Sequence, residues 1–246
     1  MISKTILQSV IKKYHLGEIE QVKWEIEDNK LSIDLIAPSQ IVLGKVTCND
    51  FPLEDVDLAI YNTKKLDSLV GITSGDLLLE VEKQKEILLK LKISDENYNL
   101  TYALSDPLLV PKAGKVKPID SWNIDVQLEP EDILNLLKAK NALSEIDNML
   151  ITTTRNLDDI AVCEFIFGDE QGHNNKITYQ MNGTINKENI KIKYNSNMFK
   201  TILNANRDAV IGKLQLSKEG LMRLEFENEA VKSEYYMVPQ EGGIIS

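Results

Sequence analysis

The sequence predicts an α+β protein of two similar domains, with short helices on one face of antiparallel sheets. Three observations predict it. Apolar runs rich in Ile, Val, Leu and Tyr are divided by turn residues about every 8 to 12 positions, as in short strands joined by tight connections. Only four segments show the periodicity of an amphipathic helix, 4–15, 63–71, 131–141 and 196–207. The order of elements in the first 104 residues returns after residue 121, a repeat of architecture, and 246 residues suit two domains of ordinary size.

In the first half the opening helix places Ile6, Leu7, Val10, Ile11 and Tyr14 on one face. Strands follow at 22–27, 31–37, 41–48 and 57–61; Asp28-Asn29 suits a tight hairpin and Pro38-Ser39 a corner. After the second helix come strands 76–82, 86–93 and 98–104. Residues 105–121, with Pro107, Pro111, Gly114 and Pro118, read as an extended linker, which sets the expected domains at 1–104 and 122–246.

In the second half strand 122–128 leads into a helix whose start signal is Glu129-Pro130-Glu131-Asp132, with Ile133, Leu134 and Leu137 on its apolar face. Strands are expected at 148–154, 160–167, 175–181 and 190–194. Ser196 or Asn197 is placed to cap the last helix, whose apolar set is Met198, Phe199, Ile202 and Leu203. Strands 209–216, 221–227 and 231–238 complete the repeat.

Composition excludes several classes. With 43% apolar and 27% charged residues the chain should fold. No run reaches the roughly 18 to 20 apolar residues of a membrane span. Residues 1–14 lack the features of a signal peptide, so the expectation is an intracellular protein. Cys48 and Cys163 have no CxxC spacing and only two histidines, His15 and His173, accompany them. Buried free thiols are expected rather than a disulfide or a metal site.

Charge is segregated. The four helical segments hold nine basic residues and three acids, a net of +6 in a chain whose total is −10. The basic residues are Lys4, Lys12 and Lys13 in the first helix, Lys64 and Lys65 in the second, Lys138 and Lys140 in the third, and Lys200 and Arg207 in the fourth. At 100° per residue Lys12, Lys64, Lys138 and Lys200 lie opposite the apolar stripe of their own helix. Lysines so placed on one helix ordinarily serve solvation. Repeated on four helices of an acidic, strand-rich chain, they point to phosphate contacts without base reading.

These residues resemble a known family, the DNA polymerase sliding clamps of T-even-like bacteriophages, related in fold to proliferating cell nuclear antigen. The resemblance lies in Ile2-Ser3-Lys4 opening a helix that runs to Lys13, in Asp55-Val56-Asp57-Leu58-Ala59-Ile60-Tyr61, in Ser105-Asp106-Pro107 and in the helix from Glu131 to Lys138. The ending Tyr235-Tyr236-Met237-Val238-Pro239 looks like the last strand of the cellular clamps. The chain departs from the phage pattern in a longer hairpin region at 168–175 and in a tail at 240–246 with no assigned role.

The resemblance implies a homotrimeric ring of the clamp type, with helices lining a central hole around duplex DNA and sheets outside. It implies a processivity factor that tethers the replicative DNA polymerase, is opened by a clamp loader, has no cofactor and no membrane partner, and works in the cytoplasm of an infected host cell. Two uncovered strands would pair between subunits through Tyr98, Leu100 and Tyr102 on one side and Ile177, Tyr179 and Met181 on the other. A partner peptide would dock between the connector residues Leu108, Leu109 and Val110 and the last strand, Tyr236, Met237, Val238 and Pro239, with Ile41 and Val42 completing the wall. Each set also suits a plainer role, the strand residues filling their own domain's core and the connector residues pinning the linker to the first domain.

No Walker A, GxGxxG, HExxH or GxSxG pattern occurs, and no catalytic or metal-binding residue is assigned. Asp158-Asp159 and Asp169-Glu170 read as solvated turn charges, and His173 as part of a turn. Asn182-Gly183-Thr184 matches a glycosylation acceptor that an intracellular chain would leave unmodified. The alternative from another class is a trimeric, β-rich structural component of a virion, which has no need of basic helix faces.

Overall fold

The computed structural model describes residues 1–84, 87–114, 116–117, 119, 121–155, 158, 160–168, 175–186 and 190–244. The chain divides into two units. Unit 1 is Met1–Gly114 with Glu229–Ser233, and unit 2 is Lys115–Asn228 with Glu234–Ser246. Both are α+β with antiparallel sheets, as the sequence predicts.

Unit 1 runs β1 (Ile2–Ser3), α1 (Lys4–His15), β2 (Val22–Glu27), β3 (Lys30–Ile36), β4 (Val42–Cys48), β5 (Val56–Ile60), α2 (Thr63–Gly71), β6 (Asp76–Gln84), β7 (Ile87–Ser94) and β8 (Asn99–Ala103). Its strands hydrogen-bond in the orders β1-β6-β7-β8 and β4-β3-β2-β5. Asp28 and Asn29 turn β2 into β3 with φ of 50° and 58°, the left-handed pair that a two-residue hairpin requires. Ser3 caps α1 by accepting the Ile6 N–H, and Asn62 caps α2 by accepting that of Lys65. Leu7, Val10, Ile11 and Tyr14 of α1 and Leu66 and Val70 of α2 bury their side chains. Tyr14, Trp24 and Phe51 form an edge-to-face series, with centroids 6.4 and 5.8 Å apart.

Unit 2 runs β9 (Trp122–Leu128), α3 (Pro130–Ala142), β10 (Asn148–Arg155), β11 (Ala161–Gly168), β12 (Lys176–Asn182), β13 (Thr184–Ile185), β14 (Lys191–Asn195), α4 (Ser196–Ala205), β15 (Ile211–Ser217), β16 (Met222–Glu227) and most of β17 (Val231–Met237), whose first three residues belong to unit 1. One sheet has the order β12-β11-β10-β14, and β13-β9-β15-β16-β17 are successive neighbours in another. Phe165 of β11 stacks on Phe199 of α4 at 6.2 Å, joining sheet to helix.

Several local expectations are corrected. β1 and β13 are two-residue strands, too short for periodicity to show. Inside the expected extended linker, Pro107–Leu109 forms a 3₁₀ turn because the Asp106 carboxylate accepts the Leu108 N–H at 2.8 Å. The third helix starts at Pro130, whose missing N–H costs nothing in the first turn. Its buried face is Ile133, Leu136, Leu137, Ala139 and Lys140, while Leu134 is exposed. The cap of α4 is Asn195; Ser196 instead donates its hydroxyl to the Ile146 carbonyl at 2.7 Å.

Cys48 and Cys163 are buried free thiols, as expected, and burial pushes them up to about 11 and about 12. Among the described residues no helix is long and apolar enough to cross a membrane. Asp159, Asp169, Glu170 and His173 lie outside the described residues, as do 245–246 of the tail.

Candidate nucleic-acid interface

In each unit the two helices pack side by side, α1 with α2 and α3 with α4. This brings Lys12, Lys64 and Lys65 onto one exposed helix pair, and Lys138, Lys200 and Arg207 onto or just beyond the other, with Lys200 half-buried. Arg207 stands in the turn after α4, which ends at Ala205, so its place on the helix is corrected.

Three of the nine basic residues are otherwise engaged. Lys4 donates from Nζ to the Gly71 and Thr73 carbonyls at 2.7 and 2.5 Å, meeting the negative end of α2. Lys140 is 1% exposed and donates to the Leu143 and Ser144 carbonyls at 3.3 and 2.9 Å, capping its own helix. Lys13 is also 1% exposed. The assignment of Lys13 and Lys140 to a phosphate-facing surface is therefore corrected: their stems lie against the core, because the apolar stripe is wider than the sequence pattern suggests. Burial and then the Lys200 ammonium hold Lys140 below the ordinary lysine range, with Asp147 and Glu145 opposing. That repulsion shows positive charge from α3 and α4 converging.

β8 and β12 each end their sheet, so both present an open edge within their own unit. Along them Tyr98 is exposed and Leu100 and Ile177 are half-buried. Tyr102 and Met181, at 2% and 7% exposure, fill their own unit's core, which corrects their assignment to a subunit contact. The Tyr102 hydroxyl accepts the Asn62 N–H at 2.9 Å and that of Tyr61 at 3.3 Å, pinning β8 to the start of α2. Tyr179 donates to Asp132 at 2.7 Å, and Asp132 also accepts the Glu129 N–H at 2.9 Å. Edge strand β12 is thereby tied to the first turn of α3.

Leu108 and Leu109 are 87% and 71% exposed, Val110 and Ile41 half-buried, and Val42 fully buried. Beneath the turn lies a cleft of about 540 Å³ within unit 1, walled by Pro107, Leu108, Val110 and Pro111 and floored by Lys23, Glu25, Asp34 and Asp57. Lys23 bridges Glu25 and Asp57 at 2.9 and 2.7 Å. In unit 2 Val238 is exposed, Tyr236 and Pro239 half-buried and Met237 buried. Val42 and Met237 are corrected, since strand alternation turns both inward.

The charged floor of that cleft is absent from the sequence reading, and so is a cluster in unit 2. There Arg223 lies 5.9 Å from the ring centroids of both Trp122 and Tyr236. It donates to Glu234 and Glu225 at 2.5 and 2.6 Å, and Tyr236 donates to Glu234 at 2.6 Å. Burial and that hydrogen bond push the Tyr236 phenol up to about 12. The available signal was spacing by two, in Lys23/Glu25, Arg223/Glu225 and Glu234/Tyr236, which puts each pair on one sheet face.

With this geometry, the fold is that of the clamps. A proliferating cellular nuclear antigen from Entamoeba histolytica superimposes with a TM-score of 0.76 at 15% identity, covering 97% of this chain and 96% of that one. A chain from the structure of the C-terminal region of FEN-1 bound to A. fulgidus PCNA superimposes with a TM-score of 0.77 at 14% identity, covering 98% of this chain and 97% of that one. No protein-family model and no curated protein matches the sequence.

Proposed function

We propose that this protein is a sliding clamp, a processivity factor of the bacteriophage kind. Three copies close into a ring around duplex DNA, and the ring tethers the replicative polymerase after a clamp loader has opened it. The observation that carries this reading is the pairing of exposed basic helices in each unit of a chain with net charge −10 and a clamp fold. Lys12, Lys64, Lys65, Lys138, Lys200 and Arg207 neutralise phosphates at points free of base recognition, which permits sliding; the acidic remainder discourages DNA from binding elsewhere. No step of bond making is assigned to the chain.

Ring closure uses the open edges of β8 and β12, head to tail, with Tyr98, Leu100 and Ile177 at the seam. The exposed Leu108 and Leu109 serve as the apolar part of a docking surface for partner peptides. The acting compartment is the host cytoplasm, where the DNA is.

The test is retention on nicked circular DNA against linear DNA with open ends, with a matching loader present. Retention on the circle and loss from the linear form are expected. Equal loss from both, or a monomeric mass at micromolar concentration that neither loader nor DNA changes, would overturn the ring.

A further inference from the structure

Residues 240–244, which follow β17, fold back onto the first sheet of unit 2. Gln240 N–H donates to the Lys193 carbonyl at 2.9 Å, Lys193 N–H donates to the Gly243 carbonyl at 2.8 Å, and Ile244 pairs with Ile192 in an antiparallel bridge. The segment thus lies along β14, the end strand of the order β12-β11-β10-β14. A turn closed by Gly243 N–H to the Gln240 carbonyl at 2.8 Å lets both contacts form.

Two positions give this slot a sequence requirement. A Cβ on Gly243 would lie 2.7 Å from the Gln240 carbonyl oxygen and 2.8 Å from that of Lys193, so only glycine fits. Ile244 then reaches Gly220, where a Cβ would lie 3.3 Å from Ile244 Cδ1 and 3.5 Å from Ile192 Cδ1. Gly220 has φ of +82°, and its carbonyl accepts the buried Tyr194 hydroxyl at 2.6 Å. The result is a rigid notch for one branched aliphatic side chain. Ile244 remains 55% exposed, so the resident contact is shallow.

Unit 1 shows the same relation. Ser105, just past β8, donates to the Ala59 carbonyl at 3.1 Å and bridges β5, the end strand of β4-β3-β2-β5. In both units the chain leaving the last strand returns to the strand that feeds the second helix. In unit 1 that returning chain carries the exposed Leu108 and Leu109; in unit 2 it carries Gly243 and Ile244.

We propose that the edge of β14 with its Gly220 notch is a strand-addition site for an extended peptide bearing glycine followed by a branched aliphatic residue. Residues 240–244 are its resident occupant, which such a peptide displaces. Backbone hydrogen bonds supply the register and the notch supplies the selectivity. The proposal rests on unit 2 alone and stands apart from the clamp reading.

The experiment uses the full chain and a Gly243→Val, Ile244→Asp variant, which ejects the segment without touching the sheet. Amide exchange and ¹H–¹⁵N shifts are followed at Ile192, Lys193 and Tyr194. Release should speed Lys193 exchange by about tenfold or more as its acceptor is lost, with the thermal midpoint of the chain little changed. A synthetic peptide of residues 240–246, raised to millimolar concentration, should shift these resonances in the variant and slow Lys193 exchange again. The same peptide carrying Val and Asp at positions 243 and 244 should not. Unchanged Lys193 exchange in the variant, no shift with the natural peptide, or equal shifts with both peptides would each overturn the site.

Discussion

In unit 1 the carbonyls at the end of α2 are met by Lys4, which precedes Gly71 by 67 positions and belongs to the neighbouring helix. In unit 2 the end of α3 is met by Lys140, from its own last turn. One tie is tertiary and crosses the helix pair; the other is local and leaves its ammonium facing Lys200. Both spend a lysine on carbonyls at or just past a helix end, where the helix dipole favours a cation. The basic surface available to a ligand is therefore smaller than the helix charge: Lys12, Lys64 and Lys65 in unit 1 against Lys138, Lys200 and Arg207 in unit 2. The repeated plan is met by different residues because the physical demand, a cation at a helix end, does not specify where in the chain the cation must come from.

The largest effect should come from emptying one basic pair at a time. Replacing Lys12, Lys64 and Lys65 with Ala, or Lys138, Lys200 and Arg207 with Ala, should flatten the slope of log K against log salt by about 0.9 for each phosphate no longer neutralised. Equal flattening, measured by DNA retention across a salt series, makes the units equivalent partners of DNA. Flattening in only one would confine the interface to that unit, and none in either would remove it.

Next come the two tyrosines on edge strands. Tyr102→Phe leaves the Asn62 and Tyr61 N–H groups short of an acceptor and should cost about 1–3 kcal/mol in urea unfolding. Tyr179→Phe removes one donor from a more accessible carboxylate, and about 0.5–1.5 kcal/mol is expected. A reversed order would mean that β12, not β8, is the more firmly held edge.

A smaller contrast separates the lysine ties. Lys4→Met should destabilise by about 1 kcal/mol, since the Gly71 and Thr73 carbonyls, at and just past the end of α2, lose a charged donor. Lys140→Met should be closer to neutral, because apolar volume replaces a buried charge that is costly to hold. Denaturant midpoints measured side by side check the pair.

The smallest effect is in pH. Lys140 is held below its ordinary value when folded, so the unfolded chain binds the extra proton, and stability should rise as pH climbs from the folded value toward about 10.4. Lys200→Gln should weaken that rise and move the Lys140 titration upward, as read by NMR at its side-chain carbons. An unmoved titration would mean that burial alone sets the value.

The elements were largely legible in the letters. Alternation along 22–27 and 122–128 and the Asp28-Asn29 hairpin are local signals, and the strands and turn stand where they point. The helix starts were less legible. Ser196 and Asn195 are both capping residues, and only the nearby Ile146 carbonyl draws the Ser196 hydroxyl away. The candidate surfaces were legible in part: the exposure of Lys12, Lys64 and Lys138 follows from helical period, whereas the burial of Lys13 and Lys140 depends on what packs beside each helix.

The order of apolar and turn residues suffices for the α+β class, the doubled plan and the gathering of positive charge on helices, because each follows from periods of 2 and 3.6 residues acting over short distances. Contacts between distant positions lie beyond such periods. Lys4 on Gly71, Tyr102 on Asn62, Arg223 between Trp122 and Tyr236, and Ile244 over Gly220 join residues that no local pattern connects. They exist because packing the sheets and helices leaves particular donors, acceptors and notches facing one another. Which lysines remain free for a ligand, and which edge receives a strand, are settled only at that stage.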